Sequence, residues 1–175
     1  IPLCAALAAQ EHGDARRALD LLRVSGEIAD RDEAERVTEK HVKIAQAKIE
    51  TDSMVECIAT LPTQSKIVLY SMMLLDQMGQ NIFTSGEVSK IYKEIAPAMD
   101  LDILTHRRIT DLISELNMLG VINTRVVSRG RYGRTKEMWF DSNNHKIRDV
   151  ILSDPRLSAH GLEKMDVTWV KTLFR

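Results

Sequence analysis

Cysteine is nearly absent: two residues in 175, Cys4 and Cys57, each alone in an apolar setting. With no CxxC pair and no metal-ligand spacing, the chain has neither a disulfide framework nor a zinc site, and reduced, buried thiols of an intracellular protein are expected. Aromatic residues are only 5% of the chain, although hydrophobic residues reach 44%. The core must therefore come from Leu, Ile, Val, Ala and eight Met, a mixture that suits packed helices. Long apolar runs are missing too. The uncharged run from Ile67 to Leu75 is far too short to cross a bilayer, and no signal-peptide pattern appears, so no membrane partner is expected. The five histidines (His12, His41, His106, His145 and His160) have no metal spacing. No Ser/His/Asp or Cys/His arrangement is present, so no catalytic residue and no metal ligand is assigned. Repeats and low-complexity tracts are absent.

Charge is balanced in sum, with 24 Lys/Arg against 25 Asp/Glu, and strongly segregated along the chain. Residues 1–52 and 53–104 each carry −3, residues 105–136 carry +5, and residues 137–175 are neutral. The positive field centres on Arg129-Gly130-Arg131-Tyr132-Gly133-Arg134-Thr135-Lys136, four cations without an acid. β-type runs flank it, Val121 to Val127 before and Glu137 to Phe140 after, which predicts a hairpin with a basic, bendable tip. Surface cations are normally interspersed with acids, so such a tip points to a polyanion.

The first third reads as helical. Leu3, Ala6, Leu7 and Gln10 predict a short helix ending at His12-Gly13. Asp14 is placed to cap a second helix, Ala15 to Ala29, with Ala18, Leu19, Leu22 and Gly26 as its inner stripe. A third, from about Glu33 to Ile49, sets Val37, His41, Ile44, Ala45 and Lys48 on one side, with His41 a packed residue rather than a ligand. Ser53-Met54-Val55-Glu56 has capping-box form and predicts a further short helix. A boundary is expected between Glu50 and Pro62, dividing the chain into residues 1–58 and 59–175. The chain opens at Ile1 in what reads as mid-helix, as a piece of a longer protein would.

Beyond the boundary, Pro62 to Met78 is apolar on most sides and predicts a central helix ended by Gly79-Gln80-Asn81. Ile82-Phe83 reads as a short strand. Thr84-Ser85-Gly86-Glu87 is a capping box for a helix with Val88, Ile91, Tyr92 and Ile95 inward, which Pro97 ends or bends. Thr105 caps a helix from His106 to Leu119, stopped by Gly120, with Ile109, Leu112, Ile113, Leu116 and Leu119 as a buried stripe. The hairpin follows. Asn143 or Asn144 caps a last helix to Leu152, ended by Asp154-Pro155, and the tail from Leu157 is read as partly helical. Helix, short strand, two helices, strand, wing, strand, helix is the winged-helix arrangement, a helix-turn-helix variant. The fold class is thus mostly α, a helical bundle followed by a winged helix with a small β-hairpin.

On the helix before the wing, the face opposite the buried stripe holds Arg107, Asp111 and Ser114, flanked by Arg108 and Thr110. If this helix enters a major groove, Arg107, Thr110 and Ser114 are best placed to meet DNA, with Arg107 in the first turn where phosphates also bind. Asp111 would repel phosphate unless it pairs with Arg107 or accepts from a cytosine amine. A solvated polar face explains this helix equally well. In the wing, Arg129, Arg131, Arg134 and Lys136 would grip DNA, Gly130 and Gly133 would let the backbone approach, and Tyr132 would stack on sugar or the groove wall.

Three strings carry a resemblance: GDARRALDLLRVSGEIA from Gly13, LTHRRITDLISELNMLGVINTRVV from Leu104, and SRGRYGRTKEMW from Ser128. Together they resemble the archaeal origin-recognition initiators, the family shared with the eukaryotic origin recognition complex and its helicase-loading cofactor, over roughly residues 1–155. The resemblance implies that the first unit is the helical lid of an AAA+ ATPase. Within its GxxR, it implies that Arg16, rather than Arg17, is the sensor-2 arginine that reaches toward nucleotide phosphates. It implies duplex origin DNA as partner of the winged helix, through Arg107 and its neighbours and Arg129 to Lys136. Replicative helicase and other initiator subunits are further implied partners, ATP or ADP with Mg the implied cofactors of the intact protein, and the nucleoid of the cytoplasm the implied location. The sequence holds no G-x-x-x-x-G-K-S/T phosphate loop and no candidate Walker B strand, so no cofactor and no hydrolysis are expected of this piece alone. Two other readings stand beside it: a winged-helix transcription regulator without ATPase chemistry, and a winged helix that binds proteins.

Overall fold

The computed structural model describes residues 1–11, 15–128, 130, 134–141 and 144–173. It forms two compact units, Ile1–Met54 and Val55–Arg175. The division falls inside one helix.

The first unit contains α1 (Pro2–Glu11), α2 (Ala15–Arg31) and most of α3 (Glu39–Thr60). Its core joins Cys4, Leu21 and Val42, with Leu3, Leu7, Leu22 and Ile49 packed against them. The inner face of α2 is not the predicted one. Leu21, Val24, Ser25 and Ala29 are buried, while Leu19 is 65% exposed. The polar Ser25 disguises the true stripe: its hydroxyl donates to Leu21 O inside the helix, so it can be buried without an unmet donor. Asp14, the expected cap, lies outside the described residues.

α3 also departs from expectation. It starts at Glu39 rather than Glu33, and its inner face is His41, Val42 and Ala45, with Val37, Ile44 and Lys48 exposed. His41, third residue of the helix, accepts the Thr38 N–H at Nδ1 (3.2 Å), the reach-back usually made by Glu or Gln. Its Nε2 lies 3.7 Å from Asp32 Oδ2. The predicted start at Ser53 does not occur, because α3 runs through it. No Gly or Pro interrupts residues 39–60, and a capping sequence has nothing to cap where the chain stays helical.

The second unit is built around α4 (Thr63–Gln77), buried at every residue from Ser65 to Leu75. Gly79 (φ +88) ends it, and Gln80 N–H returns to Leu75 O at 3.2 Å. β1 (Phe83–Thr84) leads into α5 (Ser85–Ala98), whose capping box is complete: Thr84 Oγ1 accepts from Glu87 N–H and Glu87 Oε2 accepts from Thr84 N–H (2.7 Å). Pro97 sits in the last turn, one residue before the helix ends. α6 (His106–Met118) follows, then β2 (Asn123–Ser128), β3 (Arg134–Trp139) and α7 (Asn144–Leu152). The antiparallel sheet has the order β1-β3-β2, with Phe83 opposite Met138 and Thr124 opposite Met138 on the other side.

The tail is partly helical, as its sequence suggests. α8 (Pro155–Ala159), a 3-10 turn (Leu162–Lys164) and α9 (Val167–Leu173) bury Leu157, Leu162 and Val170. The Tyr70 hydroxyl faces Leu162 O (3.4 Å) and Met165 O (3.2 Å), and burial raises its pKa above the ordinary 10.0. At the start of α8, Asp154 caps Arg156 N–H (3.0 Å) and takes a 2.6 Å bond from Lys66 Nζ, which also donates to Ala59 O (2.8 Å).

Candidate nucleic-acid interface

α6 begins where the sequence places it. Thr105 Oγ1 accepts the Arg108 N–H at 3.3 Å. Gly120 (φ +70) ends the helix by a Schellman turn in which Val121 N–H returns to Leu116 O at 3.1 Å. Ile109, Leu112, Ile113 and Leu116 are buried, but Leu119 is 51% exposed. As the C-cap of α6, it marks where the chain turns away before the stripe can continue inward.

The turn before α6 is braced by Gln64, which sequence reasoning does not single out, and by Tyr92, which it places only as an inward core residue. The Tyr92 hydroxyl bonds Gln64 Oε1 and receives the Leu104 N–H (3.4 Å), while Gln64 Nε2 donates to Asp102 O (3.1 Å). α4 and α5 thereby hold the segment that aims Arg107. The available signal is an inward tyrosine, whose hydroxyl needs a partner when buried. Desolvation by this burial raises the Tyr92 pKa above 10.0.

The basic octet divides differently from its prediction as a loop. Arg134, Thr135 and Lys136 belong to β3, paired with Ser128, Val127 and Val126. Ladder pairing extends the strands because nothing between Arg134 and Trp139 breaks the alternation. Gly130 is exposed at φ +60, a backbone state that favours glycine. Arg129, Arg131, Tyr132 and Gly133 lie outside the described residues.

Strand alternation sorts the hairpin into two faces. Arg134, Lys136 and Met138 share one with Thr124, Val126 and Ser128; Met138 is fully buried toward the core. The other carries Arg125, Glu137 and Trp139. There, Arg125 Nε and Nη2 lie 2.9 and 2.8 Å from Glu137 Oε2, and its guanidinium carbon is 5.7 Å from the Trp139 ring centre. Arg125 contributes to the +5 of residues 105–136, yet its charge is met within the sheet.

Of the predicted contacts on α6, Arg107 and Arg108 are exposed and Thr110 and Ser114 half-buried. Arg108 lies 3.7 Å from Glu115. Thr110 Oγ1 donates to His106 O (2.9 Å), and Ser114 Oγ donates to Thr110 O (2.8 Å). Lys136 Nζ donates to Ser114 Oγ at 2.6 Å, joining β3 to α6. Asp111 is exposed and makes no ion pair with Arg107. Among the described residues, Arg107 and Arg134 have no ion pair, so both guanidinium groups face solvent uncompensated. Val126, opposite Lys136, is exposed on the same hairpin face; nothing in its sequence setting distinguishes it from the buried valines and isoleucines nearby. In the other unit, Arg16 stands exposed in the first turn of α2. No group of side chains fit to hold a metal, and no helix long and apolar enough to cross a membrane, occurs among the described residues.

Comparison with known proteins gives this geometry a family. A model of the "CDC6, C terminal winged helix domain" matches residues 56–150, and a model of the "Cdc6 AAA+ ATPase-type lid domain" matches residues 1–47. The "ORC1-type DNA replication protein" of Methanoregula boonei is 75% identical over all of this chain, and that of Methanoculleus marisnigri 73%. The chain spans 41% of the length of each. Among solved structures, the Aeropyrum pernix ORC1 protein in complex with DNA is 49% identical with a TM-score of 0.77, covering 90% of this chain and 41% of that one. A structure of Drosophila ORC bound to DNA is 27% identical with a TM-score of 0.51, covering 85% of this chain and 38% of that one. With a helical unit matching the lid and a second unit whose α6 and hairpin make a winged helix, the chain belongs to the archaeal Orc1/Cdc6 family of AAA+ replication initiators, of which it carries the lid and the C-terminal winged helix.

Proposed function

We propose that this chain binds duplex DNA, at a replication origin in the cell, through the N-terminal half of α6 and the basic wing. The observation that carries the reading is the pair of exposed, unpaired guanidinium groups, Arg107 on α6 and Arg134 on β3, with the basic residues Arg129 and Arg131 between the two strands in sequence. Arg107 serves a groove edge or phosphate at the helix N-terminus, and the wing serves the adjacent groove. Arg108, Thr110 and Tyr132 are supporting contacts. The A. pernix relative, 49% identical over nine tenths of the chain, was solved in complex with DNA, which supports the reading. Titration of a labelled duplex against wild type and Arg107→Ala/Arg134→Ala tests it: the variant is expected to bind at least tenfold more weakly, roughly 1.4 kcal/mol. Equal affinity rejects the assignment.

In the intact initiator, the lid would report the nucleotide state. An exposed arginine in the first turn of a helix suits an anionic phosphate oxygen, and Arg16 is the residue that would meet ATP or ADP, whose Mg and phosphate-loop chemistry would come from the rest of the protein. Assembly with other initiator subunits and recruitment of the replicative helicase at the nucleoid complete the proposed role. Arg16→Ala in the full-length protein is expected to weaken nucleotide binding and leave duplex affinity of the winged helix unchanged.

A further inference from the structure

Lys136 differs from the other described wing cation. Arg134 is exposed, whereas Lys136 is half-buried and its ammonium donates to Ser114 Oγ at 2.6 Å. Ser114 in turn spends its own proton on Thr110 O at 2.8 Å. The hydroxyl thus donates once and accepts once, and a short charge-assisted bond is the stronger kind. Residues 107, 110 and 114 follow one line of α6 at i, i+3 and i+7, so this bond ties β3 to the helix line that carries Arg107. Arg134 shares the strand face of Lys136 two residues toward the tip, roughly 7 Å along β3.

We propose that Lys136 and Ser114 are positioning residues: a strut between wing and recognition helix that sets the spacing of Arg134 from Arg107 before DNA arrives, rather than two DNA contacts. The proposal rests on the duplex-binding reading above. A fixed spacing raises affinity by removing the cost of ordering the wing at the moment of binding. It leaves the number of neutralised phosphates unchanged, and that separates a strut from a phosphate ligand.

The test is a double-mutant cycle on the whole chain, with duplex affinity measured at several salt concentrations for Ser114→Ala, Lys136→Met, the double variant and Ser114→Thr. Each of the first two is expected to weaken binding about 3- to 10-fold with the salt slope unchanged, the double no further, and Ser114→Thr to bind as wild type. If Lys136→Met lowers the slope by ~0.9 while Ser114→Ala binds normally, Lys136 is a phosphate ligand and the strut is wrong. Additive losses, wild-type affinity throughout, or losses that track a reduced folded fraction by circular dichroism overturn it equally. A wild-type chain that ignores duplex DNA at low salt rejects the duplex-binding reading itself, and the strut with it.

Discussion

Among the described residues outside the interface, Lys66 and Asp154 form a short ion pair. Both side chains are nearly sealed from water, at 7% and 14% exposure, so removing one partner strands the other charge. Asp154→Ala also removes the cap of α8 and is expected to cost about 3 kcal/mol in urea unfolding. The Lys66 hydrogen bond, foremost, holds the Asp154 carboxyl below the ordinary 3.8. Its stabilisation is therefore present above that value and lost as pH falls through the folded-state pKa. An acid-unfolding profile should lose part of its slope below about pH 4 in Asp154→Asn. The tyrosines act at the other end. Burial raises Tyr70 and Tyr92, so their contribution is complete below 10.0 and lost as pH rises through the higher folded values. Tyr92→Phe is expected to remove that alkaline effect at the turn before α6 and to loosen the aim of Arg107. At Gly120, the left-handed φ of +70 makes Gly120→Ala cost about 1 kcal/mol.

At the scale of elements, legibility follows local rules. The capping box at Thr84, the cap at Thr105 and the glycine stops at Gly79 and Gly120 are short-range devices, and each occurs where the sequence puts it. The departures belong to elements whose burial is set by distant partners. The α2 stripe is hard to read because a satisfied serine looks polar in sequence, and α3 reads as two helices because a capping signature does not reveal that the chain stays helical. Charge locates the wing, but charge cannot say which cations are already met. Arg125 is held by Glu137 and Trp139 on the outer face, so Arg125→Ala is expected to leave the salt slope of duplex binding unchanged. Arg131→Ala/Arg134→Ala is expected to lower it by ~0.9 for each phosphate no longer neutralised. An inward tyrosine signals that its hydroxyl needs a partner, but neither the identity of that partner, Gln64, nor the Lys136–Ser114 bond has a sequence signature, because each pairing joins residues far apart in the chain.

For the whole molecule, two compact units divide a chain whose charge is also divided. The acidic first unit matches the lid and the second unit, which contains the basic segment, matches the winged helix. Net charge near zero would hide any preference for a polyanion; its concentration between residues 105 and 136 exposes it. In the proposed function, this segment binds duplex DNA by neutralising phosphates. Fluorescence anisotropy of a labelled duplex, titrated with the chain across a range of salt concentrations, tests it most directly. Log affinity is expected to fall linearly with log salt, with a slope of about −2 to −4 that becomes shallower in Arg107→Ala/Arg134→Ala. An affinity indifferent to salt, or no binding at low salt, would contradict it.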